Sequence, residues 1–395
     1  MNAREKRNAA LAFVGLLALS IYILACTSFS PDDTKVLYPA FDAASGAIGM
    51  AVYDREARAS EMLFVPVGYE GTETNATVAP GILRAQWLAN GRDIVVVYTV
   101  PKSSNDDGLT VAVIPWGTRK PIKTFHVPGV NDAAESFIVP LCVAGERLFL
   151  RTASKAVLRL DLRTGALTSH DFKDAKGELF LYPAPDGAGV FYFEHNEPSD
   201  QPAVFGRLNP DDFSQTPLME ITNRMDYKTG VVAYDREGKT LVYLGTKDEK
   251  AGLTVWRDGR QIVSRSVNTR GQNRVFGNAI LASNGKSILA TFQQTDSTNA
   301  MSYGLMEIPL SEAPPREVTL IKEAPVQDDG CACYFQAAVS HDGKTAAVAS
   351  TYLAVDDHPI QPADCALFFV DLSDPNWKVT KVPIPVPAQK PSKAK

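Results

Sequence analysis

Short runs of apolar residues, separated by polar turns, follow one another along most of the chain. A glycine joins two such runs at seven places spaced roughly 50 residues apart, namely Gly46, Gly91, Gly145, Gly187, Gly238, Gly285 and Gly343. Several of these glycines follow Asn or Asp, which is a strong signal for a β-hairpin because glycine accepts the positive φ of a tight turn. The pattern predicts seven hairpins of one type.

A second pair of short strands follows each of these hairpins. The run Ala156 to Leu162 leads to a turn at Thr164-Gly165, and the run Leu253 to Trp256 leads to a turn at Asp258-Gly259. Other copies begin at Thr110 and Leu367, with looser ones at Met62, Val204 and Tyr303. Two hairpins per repeat make four strands, and repeats of this length are typical of β-propellers. We therefore predict an all-β, seven-bladed β-propeller of four-stranded antiparallel blades, preceded by an N-terminal signal or anchor helix.

Three repeats carry a resemblance to a known type of propeller. They are Asp342-Gly343-Lys344, Asn284-Gly285-Lys286 and Glu237-Gly238-Lys239, each between an inner strand and an apolar strand. This arrangement resembles the repeats of TolB-like and WD-repeat-like bacterial β-propellers, and the resemblance covers residues 34 to about 383. It implies the propeller fold and leaves the function open.

The same three turns contain Gly-Lys-Thr or Gly-Lys-Ser, which also occurs in phosphate-binding loops. A phosphate-binding loop needs a further glycine five residues upstream. Those positions hold Ala233, Ile280 and Ala338. We therefore interpret the motif as a hairpin turn and predict no nucleotide site.

The N-terminus predicts export. Three basic residues, of which Arg7 is the last, precede an apolar segment from Ala9 to Ala25, as in a signal peptide. Ile23-Leu24-Ala25-Cys26 resembles a bacterial lipobox, which implies cleavage and lipidation at Cys26. The alternatives are an uncleaved anchor, since about 20 uncharged residues can span a membrane, and plain secretion. Basic residues before the segment and acidic ones after it place the propeller outside the cytoplasm in all three cases.

The predicted domain organisation follows from these patterns. Residues 1–26 are a lipoprotein signal peptide or membrane anchor, 27–33 a tether, 34–383 the propeller, and 384–395 a disordered Pro/Lys tail. The predicted location is the bacterial cell envelope, with the protein anchored in a membrane. Because the repeats start and end in register, we expect the strand near Lys35 to Tyr38 to pair with residues 365–383 and so join the first blade to the last.

Five cysteines fit one lipidated residue and four others. A disulfide from Cys333, or from its neighbour Cys331, to Cys365 is expected in an oxidising compartment. We predict Cys142 to be a buried thiol in the third blade.

The sequence contains two sets of residues that could bind an ion. Cys331, Cys333 and His341 could form a metal site, but zinc prefers four ligands at tighter spacing, so no metal ligand is predicted. Carboxylate pairs could supply oxygen ligands to calcium, although turn chemistry also explains them. The pairs are Asp106-Asp107, Asp211-Asp212, Asp328-Asp329 and Asp356-Asp357.

The composition and the missing motifs exclude several functions. Acidic residues outnumber basic ones by 45 to 40, which argues against nucleic acid as a partner. No Gly-x-Ser-x-Gly or His-Glu-x-x-His motif occurs, so no catalytic or cofactor-binding residue is predicted. The five histidines are scattered along the chain at His126, His170, His195, His341 and His358.

Three functions remain open at this level. The first is a non-enzymatic binding or scaffold module, monomeric and held at the membrane, for a protein or polymer partner in the cell envelope. The second is a hydrolase or lyase with its site at the central channel, which would require a histidine and carboxylates to converge there. The third is a sensor ectodomain that signals through an uncleaved helix over residues 9–30.

Overall fold

The structure of the 395-residue chain is a computed structural model. It describes residues 27–41, 48–65, 82–99, 108–118, 120–127, 141–151, 156–172, 178–184, 189–195, 202–221, 229–247, 250–267, 273–295, 301–324, 332–353 and 366–384. The predicted N-terminal helix and the predicted Pro/Lys tail from residue 385 onward lie outside these residues.

The chain forms seven four-stranded antiparallel sheets, each built from four consecutive strands. This confirms the predicted all-β, seven-bladed propeller. The chain divides into two compact units, which are described one at a time. The first contains residues 1–87, 92–124 and 321–395, and the second contains residues 88–91 and 125–320.

Blades 1, 2 and 7 belong to the first unit, apart from the last residues of blade 2. Blade 1 contains β1 (Ser28–Phe29), β2 (Lys35–Phe41), β3 (Ile48–Asp54) and β4 (Ala59–Phe64). Blade 2 contains β5 (Ile82–Trp87), β6 (Asp93–Thr99), β7 (Leu109–Pro115) and β8 (Lys123–Val127). Blade 7, which also belongs to this unit, is formed by the last four strands of the chain.

Blades 3 to 6 make up most of the second unit. Blade 3 contains β9 (Leu141–Ala144), β10 (Arg147–Arg151), β11 (Ala156–Asp161) and β12 (Leu167–Asp171). Blade 4 contains β13 (Glu178–Pro183), β14 (Val190–His195), β15 (Ala203–Leu208) and β16 (Gln215–Ile221). Blade 5 contains β17 (Thr229–Tyr234), β18 (Thr240–Lys247), β19 (Lys250–Arg257) and β20 (Arg260–Val267). Blade 6 contains β21 (Asn273–Leu281), β22 (Ser287–Thr295), β23 (Met301–Pro309) and β24 (Arg316–Ala324), and blade 7 contains β25 (Ala332–Val339), β26 (Thr345–Leu353), β27 (Ala366–Asp371) and β28 (Val379–Pro383).

Burial follows the position of a strand within its blade. Four consecutive residues of β6, Ile94 to Val97, are completely buried, because this second strand is covered on both faces. The fourth strand β12 is mostly exposed. The continuous apolar runs of the sequence therefore mark middle strands, whereas the polar fourth strands form the outer edges.

The predicted glycine turns are confirmed in five blades. Gly91, Gly145, Gly238, Gly285 and Gly343 each adopt positive φ in the turn between the first and second strands of a blade. Gly187 lies between β13 and β14, outside the described residues.

Blade 1 is the exception to this pattern. Its first turn is centred on Asp33, with φ 58°, while Gly46 lies between β2 and β3. The prediction was one strand out of phase here, since Met62 lies in the fourth strand and not the third. The propeller consequently begins at Ser28, inside the segment predicted as a tether.

The predicted pairing that joins the first and last blades is wrong. Lys35 to Tyr38 belong to β2, which pairs with β1 and β3. Among the described strands, blade 7 consists of β25 to β28 alone. Blades 1 and 7 meet through side chains instead, in a buried cluster that includes Phe29, Tyr38 and Leu367.

Arginines join neighbouring blades of the second unit. Arg159 of blade 3 donates to the carbonyl oxygens of Pro210 and Asp211 in blade 4, and Arg265 of blade 5 donates to that of Pro309 in blade 6. A guanidinium presents five donors in a planar fork, so one side chain can hold two carbonyls of a turn. These contacts supplement the apolar packing between blades.

Candidate functional site at the junction of blades 1 and 7

Two turns of the same construction face each other at this junction. In blade 1, Ser30 Oγ donates to Asp32 Oδ1 (2.6 Å) and accepts the backbone N–H of Lys35 (2.9 Å). In blade 7, Ser340 Oγ donates to Asp342 Oδ1 (2.6 Å) and accepts the N–H of Thr345 (3.0 Å). The serine and aspartate side chains thus satisfy turn groups that strand pairing cannot reach.

The Asp33 carboxylate crosses from the first turn to the second. Its Oδ1 lies 2.9 Å from the backbone nitrogen of His341 and 2.8 Å from His341 Nδ1. Its Oδ2 accepts a longer bond, 3.3 Å, from the N–H of Asp342. We call this set of contacts the Asp33 clasp. Asp33 has a positive φ of 58°, and aspartate is among the few non-glycine residues that tolerate this conformation.

Arg55, in the turn between β3 and β4, lies behind the clasp. Its Nη1 donates to the carbonyl oxygen of Asp33 (2.7 Å) and its Nη2 donates to Thr345 Oγ1 (3.3 Å). The guanidinium lies 5.6 Å from the ring centroid of Phe29 and 5.9 Å from that of Phe369. One side chain therefore contacts both blades by hydrogen bonds and by cation–π contacts.

In each of the two turns, a serine hydroxyl stabilises the ionised form of an aspartate side chain. The hydrogen bond from Ser30 is the main cause that lowers the pKa of Asp32 from 3.8 to about 2. The bond from Ser340 likewise lowers the pKa of Asp342. Both carboxylates remain ionised at neutral pH, and each accepts hydrogen bonds from groups of its own turn.

A serine, a histidine and an aspartate occur together here, but they do not form a catalytic triad. Ser340 is 4% exposed, and its hydroxyl is bound to Asp342 and to the backbone of Thr345. His341 directs Nδ1 to Asp33, whereas a nucleophile needs an exposed hydroxyl bonded to the histidine. The arrangement holds two blades together and provides no activated nucleophile.

The chain enters the fold next to this junction. β1 pairs with β2 in the register Ser28 to Leu37 and Phe29 to Val36. The hydroxyl oxygens of Thr27 and Ser28 are buried, and Ser30 is 2% exposed. Residues 27 to 30 are therefore packed inside blade 1 and do not form a free tether.

The predicted lipidation and disulfide residues are only partly covered by the structure. Cys26, Cys331 and Cys365 lie outside the described residues. Cys333 lies in β25 opposite Tyr352, and its side chain is not described. Lipidation at Cys26 and the bridge from Cys333 to Cys365 therefore stay predictions. Cys142 is buried in β9 of blade 3, where we expected it.

The geometry argues against a metal site that includes both Cys333 and His341. Cys333 lies near the start of β25 and His341 follows its other end, which separates them by roughly 20 Å at 3.3 Å per residue. A metal ion would need both within about 2 Å of it. Elsewhere in the described ranges, no three side chains of His, Cys, Asp or Glu form a group that could hold a metal.

The other histidines and carboxylate pairs considered as site residues either lie in different blades or contact neighbouring protein groups. His126 and His170 are on the outer strands β8 and β12 of different blades. In the pair Asp211-Asp212, Asp211 lies 2.7 Å from Arg147 and Asp212 accepts the N–H of Ser214. The remaining carboxylate pairs, with His358, lie outside the described residues, and the side chain of His195 is not described.

Two further features could suggest a ligand site. Arg274 is 2% exposed, but its guanidinium contacts Glu317, Gln294 and the ring of Phe292. A cavity of about 230 Å³ in blade 4 is lined by one charged side chain, Arg207, with Ala184, Gly189, Val190, Leu208, Asn209, Pro210 and Thr216. Arg207 donates to the carbonyl of Arg236 and lies over Phe191. Both arginines thus serve packing within the second unit.

Within the described ranges, no helix has the length and apolar character needed to cross a membrane. The predicted signal or anchor segment lies outside these ranges.

Comparison with known proteins supports the fold. No protein-family model matches the chain, and no curated protein matches its sequence. Among solved structures, the chain is similar to KlAtg21 in complex with the coiled coil of AgAtg16, with a TM-score of 0.58 and 10% identity over 92% of this chain and 100% of that chain. It is also similar to a proposed 6-phosphogluconolactonase from Bacteroides uniformis, with a TM-score of 0.52 and 12% identity over 89% and 97%.

TolB from Acinetobacter baumannii also matches, with a TM-score of 0.43 and 10% identity over 72% of this chain and 66% of that chain. The chain is a seven-bladed β-propeller. At these identities the similarities show the fold alone.

Proposed function

We propose that the protein is a membrane-tethered, non-enzymatic binding or scaffold module of the cell envelope. The partner is a protein or a polymer, and the anchor is a lipid on Cys26. The observation that carries this proposal is that β1, the first strand among the described residues, begins at Ser28. A lipobox cysteine is expected directly before a mature domain, and Cys26 precedes the first described strand by two positions in the sequence.

The chemistry of the described residues supports a binding role over catalysis. The serine and aspartate side chains at the junction of blades 1 and 7 brace turns, and the His341 ring contacts Asp33. Similar bracing occurs in blade 5, where Asp235 accepts the N–H groups of Lys239 and Thr240. Braced turns on a rigid scaffold are suited to present a fixed surface to a large partner.

The anchor is tested by metabolic labelling with an alkyne-tagged palmitate. We expect the wild-type chain to incorporate the label and Cys26→Ala to lose it. Cys333→Ala is the matched control, because it removes a cysteine but leaves the lipobox intact, and it should keep the label. Label that persists in Cys26→Ala would refute lipidation at this residue.

The partner is tested by crosslinking in intact cells followed by reconstitution. The lipidated protein is crosslinked, its adducts are identified, and each candidate is then purified and titrated against the wild-type chain. Saturable binding of one envelope component is the expected result. The alternative, a hydrolase or lyase at the central channel, gains support if no component binds and the purified protein hydrolyses a panel of lactone or peptide substrates.

A further inference from the structure

The direction of β1 determines which end of blade 1 lies next to the membrane anchor. β1 is the innermost strand and runs antiparallel to β2. Its C-terminal end leads into the turn at residues 30–34, on the same side as the turn at residues 55–58. We call this the tight-turn end of blade 1. The opposite end, where β2 stops at Phe41 and β4 stops at Phe64, we call the long-connection end.

The chain before β1 approaches from the long-connection end. The register Ser28 to Leu37 places the next position, Thr27, level with Tyr38, one step closer to Phe41. Two peptide units at 3.8 Å each limit the distance between the Cα atoms of residues 26 and 28 to about 7 Å. A group attached at Cys26 is therefore confined to this side of blade 1.

The packing around Thr27 removes the freedom that a tether would give. The hydroxyl oxygens of Thr27 and Ser28 are buried, Phe29 belongs to the core between blades 1 and 7, and β1 is held in the two-residue ladder. Residues 27–33 cannot act as a swivel between the anchor and the propeller. The packed part of the described chain therefore begins one residue after the proposed attachment point.

We infer that the long-connection end of blade 1 faces the membrane surface and that its tight-turn end faces away from it. The inference rests on the proposed membrane anchoring. It holds for a lipid on Cys26 and for an uncleaved helix alike, because both join the fold through Thr27. The occupant of the long-connection end is a lipid surface, and the Asp33 clasp lies on the side available to an envelope partner.

The test compares two labels at opposite ends of one strand. Glu56 precedes β4 at the tight-turn end, and Val65 follows β4 at the long-connection end. Six residues at 3.3 Å separate the two ends by about 20 Å. A fluorophore is introduced at either position through a non-natural amino acid, because the native cysteines preclude thiol labelling. The full-length protein is reconstituted in phosphatidylethanolamine–phosphatidylglycerol vesicles that contain a headgroup-attached quencher.

We expect about twofold stronger quenching at Val65 than at Glu56, because the two ends differ in height by about 20 Å. A matched variant carries a flexible Gly-Ser insertion between Cys26 and Thr27, and its two labels should be quenched alike. Equal quenching without the insertion, or stronger quenching at Glu56, would overturn the orientation while leaving the anchor intact. Failure of the labelled protein to float with the vesicles would refute the anchor, and the orientation with it.

Discussion

Asp33 is a residue with two structural tasks. Its backbone adopts φ 58°, in the left-handed region that the equivalent described turns occupy with glycine. Its side chain then does what glycine cannot, because it accepts three contacts from the facing turn of blade 7. Aspartate and asparagine tolerate left-handed backbone better than other non-glycine residues.

The first prediction concerns this residue. Asp33→Asn keeps the tolerance for positive φ but removes the charge, so we expect a loss of about 1 kcal/mol in the free energy of unfolding. Asp33→Ala should lose about 1 kcal/mol more, since alanine also pays the left-handed backbone cost. Both values come from urea unfolding, with Asp374→Asn as the control in a neighbouring turn of blade 7. Equal stability of Asp33→Asn and wild type would contradict the clasp.

The second prediction concerns pH and Asp32. Its pKa in the fold is about 2, below the ordinary 3.8, so its ionised form contributes stability above pH 3.8. That contribution is lost as the pH falls from 3.8 to about 2. Asp32→Asn retains an oxygen acceptor but cannot titrate, so its Tm should fall less over this window than that of wild type. Glu56→Gln, at an exposed carboxylate of the next turn, is the control. Parallel curves of Tm against pH for wild type and Asp32→Asn would refute the contribution of ionised Asp32 to stability.

The residues at this junction explain what the sequence could and could not predict. Glycine marks the turns of five described blades, and those were found because only glycine adopts their φ without strain. Asp33 was missed because it replaces glycine. A usable signal was present, since Ser30 and Asp32 repeat the spacing of Ser340 and Asp342. The clasp itself links residues 308 positions apart, which no local pattern reveals.

At the scale of the element, the first turns of the blades share a backbone conformation but differ in surroundings. Gly285 has φ 64° and open space where a Cβ would lie. Gly238 has φ 72°, and a Cβ there would lie 2.7 Å from Leu218 Cδ1 and Phe191 Cε1 of blade 4. Glycine at 285 therefore serves the turn alone, whereas glycine at 238 also allows blades 4 and 5 to pack.

The third prediction uses this matched pair. Gly285→Ala should destabilise by about 1 kcal/mol, the cost of left-handed backbone for alanine. Gly238→Ala should cost about 1–3 kcal/mol more, because its methyl group forces two packed side chains to move. Both variants are compared by chemical denaturation at one temperature. If Gly238→Ala were as stable as Gly285→Ala, the close approach of the two blades would be wrong.

At the scale of the whole molecule, each blade is built from consecutive strands, and none of the described strands joins a blade from the opposite end of the chain. The contact of blade 1 with blade 7 depends on apolar packing, the Asp33 clasp and Arg55. The number of blades was predictable from the repeat, because each blade is a local unit of sequence. The way in which blades 1 and 7 contact each other was not predictable from the sequence. Seven repeats are equally compatible with the expected strand exchange and with the observed side-chain contact.

The fourth prediction addresses this contact as a unit. Arg55→Met keeps much of the side-chain volume but removes the donors to Asp33 and Thr345. We expect faster amide hydrogen exchange in β2 and β26, while peptides of blade 5 keep the wild-type rate, because local opening spreads through contacting elements. Lys344→Met, an exposed change in the facing turn, is the matched control. Unchanged exchange in β2 and β26 would show that Arg55 does not hold the blades together.

The junction of blades 1 and 7 forms only late in biosynthesis, because its two halves lie far apart in the sequence. The ribosome makes Asp33 early and His341 308 residues later, which takes about 15–60 s at usual elongation rates. Throughout that interval Phe29 and Tyr38, which end up in the shared core, have no blade 7 to cover them. A nascent or truncated chain that lacks blade 7 therefore exposes an apolar face of blade 1, and this face is the expected target of chaperones until blade 7 has been made.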